Sequence, residues 1–372
     1  MKALVTAALA LGLCSSMVAA EARDLRLAPG APPAHPAYDP LYSTLVEELP
    51  KETDGALTGT VLGTEVVNIG GMKGALQSGI AEVGNLLPLY FPGDLPNSAL
   101  IGDLAFLGRD PHVMGAAMTE YVVTCEDCQA EFAKLGAVFL GAGSSDVYVL
   151  LTTKPVRTKA DLQALRLRSG GAPFARWAEY VGASPVNVPV SDTFESMSQG
   201  VIDGTMGSIS DLMSYRLVDL ARYVIELPLG TYHATSNFTV NSDAWKSLSA
   251  EERRGFVRAA NKGNVAFTEN WGFERPDIAR KAAADAGLEF IEPEQELVDA
   301  TAAFTEEDLQ KAAGIAESQY GISDAAAKVA RFRELVTKWT GLVEEAGHDP
   351  QKIAEAIQAE VWDKVDYETY GM

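Results

Sequence analysis

Residues 160–173 read ADLQALRLRSGGAP. Leu165 and Leu167 alternate with Arg166 and Arg168, the period of a strand. Gly170 and Gly171 make a turn, and Pro173 opens a helix. In that helix Phe174, Trp177, Ala178 and Val181 fall at i, i+3, i+4 and i+7. Strand, glycine turn and helix form one βα unit, and such a unit belongs to α/β layer architecture. Arg168 stands at the end of the strand, just before the turn. Its guanidinium is a rigid fork of donors that pairs a carboxylate bidentately and stays charged at any relevant pH. The glycines let backbone approach a ligand closely, and a helix N-terminus favours an anion. Together these make a carboxylate cradle. The plainer alternative is a surface arginine paired with an acidic neighbour, the reading that suits Arg166.

The same alternation extends outward in both directions. Upstream, "DLRLA", "LTGTVLG" and "IAEVGNLL" read as strands, with a short helix at Met72–Gln77 and another starting at Asp110-Pro111. "AVFLG" and "DVYVLL" are the next strands. Downstream, "SPVNVPV" is extended, and "VIDGTMGS" leads into a further strand. From Ser249 the chain turns mostly helical. Ser249 and Glu252 form a capping box, and Phe256, Ala260, Gly263, Phe267 and Trp271 make one apolar stripe ahead of Pro276, which bends or stops the helix. Val329, Phe332, Val336, Trp339 and Val343 make another stripe. Both stripes read as core.

Composition bounds the function. With 372 residues, 47% of them hydrophobic, the chain can bury the core of two domains or of one large two-lobed unit. Lys2, the apolar run to Leu13 and the small residues after it read as a signal peptide over 1–22, too short to span a membrane. Cys14 lacks the small residue that a lipoprotein signal places before its cysteine. The net charge of −21 disfavours nucleic acid and anionic membranes, and any anion site must be locally positive. Beyond Cys14 only Cys125 and Cys128 remain. Outside the cytoplasm such a pair normally forms a disulfide. The C-x-x-C spacing also suits a redox pair, but those sit where a strand meets a helix, and this one lies in or near a helical run. A zinc site needs two more ligands. The four histidines have no metal-ligand spacing, and no hydrolase, zincin, Walker or dinucleotide motif is present. No cofactor or metal is expected.

The pieces "KPVRTKADLQALRLR", "WAEYVGASPVNVPVS", "ESMSQGVIDGTM" and "NFTVNSDAWKSLSAEER", in that order and spacing, resemble the solute receptors of tripartite ATP-independent periplasmic (TRAP) transporters, the dicarboxylate-receptor-like DctP family. "GALQSGIAEVG" continues the match toward the N-terminus. The resemblance implies an α/β two-lobed periplasmic-binding-protein fold, type II-like, with crossing strands, a long lobe-spanning helix and C-terminal helices. Lobe I takes 23–146 plus about 238–285, lobe II takes 147–237, and 286–372 pack on the lobes as a helical segment. In that family the arginine ending the strand after "ADL" binds the ligand carboxylate, and that position is Arg168. Tyr148, Gly171, Val190 and Gly207 follow by spacing. Tyr90, Tyr232 and His233 each stand after a strand where lobes meet.

Two departures bear on the ligand. Sialic-acid-type receptors carry a second arginine where Tyr148 stands, and a Glu-Asn-Pro run where this chain has Met206, Gly207 and Ser208. The implied function is capture of a small organic anion in the periplasm, through Arg168, and delivery to the small and large TRAP membrane subunits without ATP. With one cation in the pocket, the expected ligand has one carboxylate and a neutral, apolar or zwitterionic remainder. The rivals are a receptor serving an ATP-driven importer, a receptor that senses rather than transports, and a secreted enzyme or thiol oxidoreductase.

Overall fold

The computed structural model describes residues 22–372; the expected signal peptide, Cys14 included, lies outside them apart from its last residue. Two sheets organise the chain. The first has the order β2-β1-β3-β10-β4, where β1 is Arg23–Ala28, β2 Leu57–Val61, β3 Val83–Leu86, β4 Ala137–Phe139 and β10 Ser236–Asn241. The second has the order β11-β9-β5-β8-β6-β7, with β5 Val149–Thr152, β6 Arg166–Ser169, β7 Ser184–Asn187, β8 Gly204–Gly207, β9 Tyr223–Ile225 and β11 Glu289–Ile291. The chain leaves the first sheet after β4 and returns to it as β10, which runs antiparallel to both neighbours. The two crossings touch where Val147 bridges Thr231, and Tyr148 N–H donates to Gly230 O at 2.8 Å. Tyr148 and Tyr232 therefore sit on the connections between lobes.

A third connection is helical. Ser249 and Glu252 form the capping box that starts the helix Ala250–Glu269. A wide turn, Asn270–Glu274, follows, and a new helix, Arg275–Asp285, holds Pro276 in its first turn, where a missing N–H costs nothing. The first helix buries Phe256, Ala260 and Phe267 in the main core. The second buries Ala279 and Ala283 in a separate cluster under β5 and β9, with Val149, Leu151 and Val224. Along β5 the faces alternate as the strand period requires: Tyr148 and Leu150 join the main core, Val149 and Leu151 the second cluster.

Two elements depart from the sequence expectation. The resemblance implies a helical segment over 286–372, yet Glu289–Ile291 pairs in parallel with β9 as the edge of the second sheet. A three-residue strand between glutamates shows no periodicity to read. Arg275–Asp285, expected with lobe I, packs on the second cluster, because two alanines on one face allow close approach to that sheet. Beyond it, the helix Gln295–Tyr320 lies across both lobes, against Pro96–Gly102 and Ala172–Tyr180. The Val329–Val343 stripe packs its helix on Pro111–Thr124.

Cys125 and Cys128 are joined as a disulfide. Cys125 stands between two helices, Pro111–Thr124 and Glu126–Leu135, and its sulfur accepts the N–H of Cys128 in the first turn of the second. No strand enters this junction, unlike the setting of a redox C-x-x-C.

Candidate ligand-binding site

Arg168 is placed by strand pairing. β6 lies between β7 and β8, so successive residues face opposite sides of a buried sheet. Arg166 points outward and pairs with Asp203 at 3.0 Å, holding that carboxylate well below its usual range together with Lys154. Arg168 is 2% exposed. Its Nε donates to Val188 O at 3.1 Å, and its Nη2 donates to the Tyr90 hydroxyl at 2.7 Å. That hydroxyl also accepts the Val190 N–H at 3.0 Å. Tyr90 follows β3 of the first sheet, so these bonds tie the two lobes together over the guanidinium. Among the described residues Arg168 makes no ion pair. A buried guanidinium without a counter-charge is costly unless something else supplies one.

What it faces is a small cavity between the lobes, with about 40 Å³ open to a water-sized sphere. Arg168, Tyr148, Val190, Asp211 and Tyr215 line it from the second lobe. Ile69, Asn85, Leu87, Tyr90 and Thr235 line it from the first, with Ala31 and His35 from the loop after β1. Tyr232, on a crossing segment, and Phe267 and Trp271, on the helical connection, close the rest. The rings pack on one another: Tyr148 and Tyr232 lie 6.0 Å apart, Phe267 and Trp271 4.9 Å, and His35 lies 5.4 Å from Tyr215. Such walls suit an apolar or π-rich solute.

Charge in the cavity is sparse. Burial, helped by Arg275, pushes His35 down to about 3, so it is neutral. Arg168 is then the single cation of the lining. Asp211 is 3% exposed, and burial pushes its carboxyl up to about 7 against the pull of Arg168. Asn85 Oδ1, Tyr232 OH and Trp271 Nε1 are buried polar atoms without a protein partner. Buried polar groups are normally satisfied, so those on a cavity wall are candidates for a solute's hydrogen bonds.

Of the residues singled out in the sequence, Arg168, Tyr148, Val190, Tyr90 and Tyr232 come together on this cavity. Gly171, Gly207 and His233 are not in its lining. Gly171 precedes the helix Ala172–Tyr180 with φ 156° and ψ 177°, a conformation nearly exclusive to glycine. A Cβ there would stand 2.9 Å from Leu89 Cδ1, so it lets the lobes meet closely. A Cβ on Gly207 would stand 2.7 Å from Asp211 Oδ2. His233 is buried behind the wall, its Nε2 3.1 Å from Ile101 O and its ring 5.6 Å from Phe332, and burial lowers it to about 4. It is a packing histidine. The sequence missed His35, Asp211 and Tyr215, which stand in loops or short helices without periodicity, and it read Phe267 and Trp271 only as core.

Among the described residues no cluster of three His, Cys, Asp or Glu is arranged for a metal ion, and no helix is long and apolar enough to cross a membrane. The DctP family model, bacterial extracellular solute-binding protein family 7, matches residues 28–314. A solute-binding protein of Roseobacter denitrificans is 28% identical over 114 residues, 30% of this chain and 34% of that protein; the match thus spans about a third of the curated relative. A TRAP periplasmic solute-binding protein of Bordetella bronchiseptica with bound mandelate superimposes with a TM-score of 0.73 at 27% identity, over 85% of this chain and 99% of that one. A TRAP solute-binding protein of Rhodoferax ferrireducens with benzoate gives 0.75 at 18% identity, over 86% and 99%. With the family model matched over most of its length and the same two-lobed fold, the chain belongs to the family 7 bacterial extracellular solute-binding proteins, the solute receptors of TRAP transporters.

Proposed function

We propose that this protein is exported by residues 1–22 to the periplasm, captures a small monocarboxylate between its lobes without altering it chemically, and delivers it to the two TRAP membrane subunits. The observation that carries the reading is Arg168: a buried cation, oriented by Val188 O and the Tyr90 hydroxyl, facing a cavity with no carboxylate paired to it. A solute carboxylate supplies the missing counter-charge, and Tyr90 makes its bonds only when the lobes are together, which couples capture to closure. Tyr148, Tyr232 and Val190 contribute ring faces and an apolar wall. Gly171 and Gly207 act through room, the one at the lobe contact and the other beside Asp211. The mandelate and benzoate held by the relatives are also single carboxylates on apolar bodies.

A second carboxylate has no cation to meet here, since His35 is held neutral and Asp211 would repel it. A thermal-shift screen of organic acids is therefore expected to give larger shifts for monocarboxylates than for succinate, malate or fumarate. Clear preference for the C4-dicarboxylates would overturn the single-carboxylate reading.

A further inference from the structure

Asp211 is the one acidic side chain of the lining, and Arg168 cannot account for it. No ion pair joins the two, and the Asp211 carboxylate accepts no hydrogen bond from any described residue, although the residue is 3% exposed. Gly207 leaves the space this carboxylate occupies. Its charge is felt by the hydroxyls of Tyr148 and Tyr215, which line the same cavity. A carboxylate without protein donors that opens onto an aromatic-lined cavity is the setting that favours a cationic group: it supplies the counter-charge, and the rings of the lining add cation–π attraction. Resting on the carboxylate reading of Arg168, we propose that the solute is a zwitterion, its carboxylate on Arg168 and its cationic nitrogen seated at Asp211 against Tyr148 and Tyr215.

A plain monocarboxylate satisfies Arg168 and leaves Asp211 buried without a partner. A dicarboxylate is worse, placing like charge beside it. A zwitterion meets both ends, and, being net neutral, it is not repelled on approach by a chain of net charge −21. Burial pushes Asp211 up to about 7, so in the empty cavity near neutral pH it holds a proton part of the time. Seating a cation releases that proton, and affinity for cationic solutes rises from about pH 6 to about pH 8. The groups around it do not mask this. Arg168 stays charged, burial keeps Tyr148 and Tyr215 neutral, and Asp146, pushed up to about 8 by burial, lies outside the lining.

The test is calorimetry with solute pairs that differ only in exchanging a cationic nitrogen for carbon: glycine betaine against 3,3-dimethylbutyrate, 4-aminobutyrate against pentanoate, and phenylalanine against 2-methyl-3-phenylpropanoate. In at least one pair the cationic member is expected to bind about ten- to hundredfold tighter, the scale of a hydrogen bond to a charged group. Asp211→Asn, nearly isosteric, should erase that difference, and Arg168→Ala should remove binding of both members. If no cationic member binds, or the uncharged members bind as tightly throughout, the zwitterion inference falls. In that case Arg168-dependent binding of the uncharged acids leaves the proposed function standing. Zwitterion binding that survives Arg168→Ala would sink the carboxylate reading instead. Should Asp211→Asn fail to fold, the paired solutes on the unaltered protein still decide.

Discussion

Arg168 and Arg176 stand eight positions apart on one strand–turn–helix unit, both largely buried at the lobe junction, and they are used in opposite ways. Arg176 is answered by the chain itself. Its Nε and Nη2 donate to the two oxygens of Asp308 at 2.6 and 2.9 Å, and its Nη1 lies 3.5 Å from Asp103. Asp103 also accepts the Tyr320 hydroxyl at 3.1 Å. Asp103 comes from the first lobe, Arg176 from the second, and Asp308 from the helix crossing both, so this knot joins the lobes away from the cavity. Arg168 has only a carbonyl and a tyrosine hydroxyl. The difference teaches where to look for a ligand: a buried cation paired within the chain, or satisfied by carbonyls as Arg253 is, is architecture, and one that faces a cavity without a counter-charge is the candidate for recognition.

The sharpest way to break the comparison is Arg176→Ala. Removing it leaves Asp103 and Asp308 buried without their cation, and stability in denaturant titration should fall by about 3–5 kcal/mol. Folded protein should still bind its solute, because the cavity is untouched. If binding disappears while stability holds, the two arginines do not divide the work as argued.

Arg168→Ala is the mirror experiment. Affinity should drop by about 2–5 kcal/mol, or about thirtyfold to several-thousandfold, with the melting temperature unchanged or raised. Unchanged affinity in calorimetry would remove the anion site altogether.

Tyr90→Phe sharpens the contrast with the smallest change. It deletes the one acceptor shared by Arg168 and the Val190 N–H, a contact that joins the two lobes. The cost should be about 1.5–3 kcal/mol of affinity, since one of the lost bonds involves a charged donor. Scattering should show the ligand-bound form less compact than in the unaltered protein. A variant as tight and as compact as the parent would mean that Tyr90 merely packs.

Much of this was legible along the chain. Capping residues, glycine turns and apolar periods are local, so Ser249 with Glu252, the βα unit around Arg168 and the helical stripes could be read directly. Arg168 stands out as the candidate because chemistry and neighbours coincide in fourteen residues. Tyr148 and Val149 join opposite clusters, as strand alternation requires. For His233 the sequence leaves pocket and packing equally open, because position after a strand says nothing about which side of a wall the ring takes.

By itself, the sequence determined the α/β units, the pair Cys125 and Cys128, and the arginine at the strand end before the glycine turn, since each is written in contiguous residues whose conformational preferences are short-range. Tertiary structure alone decided which charges are paired. Asp308 reaches Arg176 from 132 positions away and Tyr90 reaches Arg168 from 78, while Asp211 is left without a partner close to its own arginine. Pairing depends on which distant segments exclude water together, and that is a property of the packed lobes rather than of any stretch of chain.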